Sequence, residues 1–89
     1  MTKVVLILAE GQLPISRTVE WPSVPRVGER VAVVDRHTLP VWSNVRSVKA
    51  VEWRPDGSAR VSLEGWLDGN ISDMLISDDG WQVFKPYPT

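Results

Sequence analysis

The side chains of this chain that could do chemistry are few and dispersed. His37 is the single histidine, and there is no cysteine. Paired imidazole or thiolate metal sites and thiol nucleophiles are therefore out of reach. His37 stands in a polar stretch beside Asp35 and Arg36, where an imidazole reads as solvated rather than catalytic. Ser16, Ser23, Ser43 and Ser47 lack the Gly-x-Ser-x-Gly setting that exposes a serine nucleophile. Asp73, Asp78 and Asp79 could gather an ion, but their spacing is not that of a calcium loop. The six glycines are scattered and build no phosphate-cradling loop. The expectation is a protein without enzymatic activity and without a cofactor or metal.

Binding chemistry is better represented. Arg26, Arg30, Arg36 and Arg46 fall close together in sequence, with Trp42 among them. Cations interleaved with an aromatic plate suit a protein interface or a single nucleic-acid strand. Trp42 lies between Pro40 and Asn44, outside any alternating run, so it is the tryptophan expected to be exposed. Flanked by Arg36 and Arg46, it could anchor a partner; folded back, it could close one end of the core. The same arginines could instead form a solvated face balanced by Glu29 and Asp35. Acidic residues gather toward the other end, at Glu64, Asp68, Asp73, Asp78 and Asp79, where they could steer a basic protein surface.

Composition narrows the classes further. The chain has 89 residues and a net charge of −1, with ten Lys and Arg against eleven Asp and Glu. That balance gives no electrostatic footprint for general nucleic-acid or membrane binding. One domain is expected, with residues 85–89 as an irregular tail. Residues 1–10 have one Lys and a short apolar run that Glu10 interrupts, and this reads as a buried strand rather than a signal peptide. Together with the absence of cysteine, it leads to the expectation of a cytoplasmic protein. Five tryptophans stand out in so small a chain, and most are expected to supply core bulk.

The elements that must position these groups read as strands. Residues 3–9 are apolar on both faces, as in a central strand. Residues 15–21 alternate, with Ile15, Arg17, Val19 and Trp21 on one face, and should form a hairpin with the first strand. Residues 29–35 form a third strand and 36–44 a loop. Residues 45–53 form a fourth strand whose apolar phase slips between Val48 and Val51, which predicts a β-bulge near Lys49. Asp56-Gly57 is the clearest hairpin turn, leading into alternation over 59–64. Residues 72–75 could make one helical turn, or 74–77 a short strand, and 81–84 a last strand. Val31, Val33, Val51, Val61 and Leu63 should share a core with Leu6 or Leu8. The fold class expected is all-β: a small antiparallel meander rolled into a barrel or sandwich, with an N-terminal hairpin.

Two stretches carry a resemblance. Val24-Pro25-Arg26-Val27-Gly28-Glu29-Arg30-Val31 is similar to a Val-Pro-x-Val-Gly-x-x-Val opening in short bacterial and bacteriophage proteins. There it precedes a hairpin like Val48-Lys49-Ala50-Val51-Glu52-Trp53, Asp56-Gly57 and Val61-Ser62-Leu63. The same region, roughly residues 24–63, resembles SH3-like barrels of the Tudor and KOW type. No aromatic cage and no basic glycine-rich loop accompany it, so the resemblance implies a barrel more than a ligand. Exposed tryptophan and strand edges lead to the expectation of a non-enzymatic protein-interaction module, a phage or prophage accessory protein acting on a host protein. A small-barrel nucleic-acid-binding protein is the alternative.

Overall fold

The computed structural model describes residues 1–11, 13–33, 45–66, 69–78 and 80–84. Among the described residues the strands are β1 (Thr2–Leu8), β2 (Ile15–Trp21), β3 (Arg30–Ala32), β4 (Val45–Trp53), β5 (Ala59–Leu63) and β6 (Gln82–Val83), joined by the helix α1 (Gly69–Asp78). They form a single curled sheet in the order β3-β4-β5-β1-β2-β6, a half-barrel whose concave face holds the core. The all-β expectation holds.

β1 and β2 form the expected hairpin, from Thr2↔Trp21 to Leu8↔Ile15. The slip in β4 is a real bulge: Val48 pairs with Leu63 and Ala50 with Ser62, leaving Lys49 as the extra residue. The bulge keeps Arg46, Val48, Val51 and Trp53 on the concave side of β4, where strict alternation would have reversed the last two. At the β4–β5 turn, Gly57 N donates to Arg54 O at 3.0 Å and Arg54 N to Ser58 O at 2.8 Å. Asp56 fixes the corner by accepting from Ser58 N at 2.9 Å and from the Ser58 hydroxyl.

Two features depart from the meander expected. β5 pairs with β1 in parallel, from Val4↔Ala59 to Ile7↔Ser62. The reason is parity: strands that reverse direction at each step put the first and the fifth in the same sense. Closing five such strands edge to edge gives one parallel seam. The helix is also longer than one turn, at ten residues. It packs through Ser72 and Leu75, both fully buried, with Ile76 against the core. Spacing of i, i+3, i+4 is helical, but a serine in the stripe hides it from a hydrophobicity pattern. No described helix is long and apolar enough to cross a membrane.

The buried core comprises Val4, Leu6, Leu8, Ile15, Val31, Val33, Val48, Val61, Leu63, Leu75 and Trp81. Both Leu6 and Leu8 take part, while Val51 is only partly covered. Trp81 plugs one end, its indole N–H donating to Val33 O at 3.2 Å. Truncating Val61 or Leu63 to alanine is expected to cost about 1–4 kcal/mol, since both sit in a closed core that cannot collapse around a void. Denaturant titration checks this, and a loss under about 0.5 kcal/mol for both, the range of surface substitutions, would contradict it.

Candidate functional site

The structure separates the arginines that sequence proximity had grouped. Arg46 faces the concave side of β4 and is only 5% exposed, so it is not the flexible, solvent-facing cation expected beside Trp42. Its Nη1 donates to Trp66 O at 3.0 Å. Burial pushes the guanidinium pKa down, and the nearby Glu10 carboxylate works against that shift. Arg26 and Arg30 are exposed, as a binding role requires. Arg36, His37 and Trp42 lie outside the described residues.

Around Arg46 a small clasp joins three parts of the chain. Glu10, just past β1, accepts from Gly65 N at 2.8 Å and lies 3.6 Å from Lys49 Nζ of the bulge. Gly65 backbone donation, then the Lys49 charge, hold the Glu10 carboxyl below its ordinary range. Gly65 itself has φ +107°, and a Cβ there would run into Arg46 Nη1. Only glycine lets the turn after β5 close over the guanidinium.

At the opposite end of β4 the concave face outruns its cover. β3 pairs only with Val45–Ser47, although β4 extends to Trp53. Upstream of β3 the chain turns away at Arg26–Glu29: Glu29 N donates to Arg26 O at 3.0 Å, and Arg26 N to Glu29 Oε1 at 2.6 Å. Gly28 has φ +91°, the conformation required at the third position of a type II turn. The diverted segment and the end of β4 enclose a shallow groove of about 340 Å³ lined by Val24, Pro25, Arg26, Val27, Val51 and Trp53. Trp53 is 61% exposed and Val27 64%. A smaller depression lies on the other side of Val24 and Pro25, with Trp21 and Glu29 in its wall.

Trp53 is the binding candidate that sequence reading missed. Its phase puts it with Val51 on the core side, which suggests burial. The signal that could have found it is length: a nine-residue β4 faces a Val-Pro-x-Val-Gly segment that cannot run straight beside it. Trp66 is also exposed, at 64%, near Arg46 at the far end of β4 and away from the groove.

Comparison with known proteins yields no matching family model, no matching curated protein and no matching solved structure.

Two outcomes test the clasp. Gly65→Ala should destabilise by about 1–3 kcal/mol or more, from backbone strain alone, measured by thermal unfolding. The lowered Glu10 pKa means its charge stabilises the fold above the ordinary carboxylate range. That contribution should disappear as pH falls through the lowered value. The Tm gap between wild type and Glu10→Gln should thus be present at neutral pH and close in acid; a gap that widens in acid would contradict the assignment.

Proposed function

We propose that this chain is a non-enzymatic protein-interaction module whose partner seats on the groove formed by Trp53 and Val27. The observation that supports this reading is a tryptophan on the core-facing side of a strand that is nevertheless 61% exposed. A large rigid side chain held by a sheet loses little conformational entropy on binding, which is why aromatic anchors dominate interfaces. The surrounding Val24, Pro25, Val27 and Val51 give it an apolar setting. The resemblance of residues 24–63 to short bacteriophage proteins supports a host protein as the partner, met in the cytoplasm.

The nucleic-acid alternative loses support from the placement of Arg46. With that side chain inside, the exposed cations of the described group are Arg26 and Arg30, and Glu29 lies between them in sequence. Trp53 also sits beside the paired charges of Glu52 and Arg54, 3.1 Å apart, rather than in a basic strip.

A partner captured from host lysate, identified and purified, provides the test. Trp53→Ala should leave unfolding nearly unchanged, within about 1 kcal/mol, because the side chain is mostly exposed. The same change should weaken binding roughly 30-fold or more, the effect of losing an anchor worth about 2 kcal/mol. Unchanged affinity in the Trp53→Ala variant would refute the proposal. Binding to oligonucleotides that falls steeply with salt would favour the alternative.

A further inference from the structure

The groove has a second property besides its apolar lining: one wall is an open strand edge. Between Val45 and Val48, β4 has a neighbour on the side away from β5. β3 pairs with Val45–Ser47, Val48 N donates to Glu29 O at 2.8 Å, and Val48 O accepts from Gly28 N at 2.9 Å. Beyond Val48, no described strand lies along that side. The direction of the backbone groups there follows from alternation. Arg54 N points toward β5, where it donates to Ser58 O. Trp53 and Val51, one and three residues earlier, therefore aim their N–H and C=O away from β5, into the groove side. The same two residues line the groove with their side chains. A ladder edge and an apolar slot thus coincide at Val51 and Trp53.

Resting on the interface reading above, we propose that this edge accepts an extended peptide strand of the partner, which adds to β4 beyond Val48. Main-chain hydrogen bonds to Val51 and Trp53 would supply the pairing, and alternate side chains the selectivity. The lining defines those side chains. Val24, Val27, Val51 and Trp53 accept an aliphatic residue, and Arg26 is the one charged group among the six lining residues. The complement is a strand bearing an aliphatic residue and, two positions along on the same face, a carboxylate. A basic strand would bring like charges together at Arg26.

The test uses the full chain, labelled with nitrogen-15, and the synthetic peptide acetyl-Ser-Thr-Ile-Thr-Glu-Thr-Ser-amide. Saturable amide shifts are expected at Ala50–Trp53 and at Arg26 and Val27, with slowed hydrogen exchange at Val51 and Trp53. Replacing the peptide glutamate by lysine should weaken binding at least tenfold, and Arg26→Glu should reverse that preference. N-methylation of alternate peptide residues should abolish binding in one phase and spare it in the other, because only one set of amides faces β4. Equal effects in both phases, or none in either, would overturn strand addition. So would the absence of any shift at millimolar peptide. Either result leaves the Trp53 interface standing if Trp53→Ala still weakens the purified partner. If that variant binds the partner normally while the peptide titrates as expected, the edge accepts a strand but not that of the partner, and the interface reading falls.

Discussion

The parallel seam between β1 and β5 is the pairing on which the rest of the structure depends. The N-terminal hairpin and the β3–β5 meander are each two-sided pieces of sheet too small to bury a core alone. Joined through Val4–Ile7 and Ala59–Ser62, they become one curved surface with Val4, Leu6, Val61 and Leu63 at its centre. β1 is thereby paired on both edges, and its outward-facing Ile7 is buried beside Ala50, Arg60, Ser62 and Phe84 on the face away from the core. The seam joins strands more than fifty residues apart, so its closure is entropically costly and must be reinforced locally.

That reinforcement is found where β5 leaves the sheet. Glu10 reaches from the end of β1 to the backbone of Gly65, and Arg46 reaches from β4 to the carbonyl of Trp66. Both contacts tie the chain just past β5 to its neighbours on either side. A guanidinium is suited to this position because it can donate several hydrogen bonds while its stem covers apolar surface. Desolvating it is unfavourable, and the nearby Glu10 carboxylate offsets part of that cost. The arginine that sequence proximity suggested for binding is thus occupied in holding the sheet together.

What was legible in the sequence follows a physical division. The β1–β2 hairpin, the bulge at Lys49 and the Asp56-Gly57 turn are set by local patterning, and each was readable from a few adjacent residues. The parallel seam was not, because it is a property of strand count and closure rather than of any segment. The length of α1 was hidden because its inward stripe includes Ser72, polar in type yet wholly buried. The site was legible only in part. Arg26 and Arg30 are exposed as expected, but charge alone could not show that Arg46 shares the inward phase of Val48 under a glycine turn. Trp53 was passed over for the opposite reason: its phase is inward, but no described element packs over that end of β4 and the side chain is left exposed.

Why that end stays uncovered is itself a matter of chain chemistry. The residues preceding β3 could in principle continue its ladder along β4 and bury Trp53. Pro22 and Pro25 have no N–H to give to such a ladder, and the turn closed by Glu29 and Gly28 directs the chain away. Val24 still packs against the core, so the segment remains close while no described strand pairs with the edge of β4 beyond Val48. A long strand with an open edge beside exposed apolar side chains is ordinarily an aggregation hazard. Here the edge is short, and Arg26 places a cation within the slot, which discourages a basic strand from pairing there. The same arrangement that limits unwanted pairing is selective for a strand that brings its own carboxylate, so protection and recognition share one set of residues.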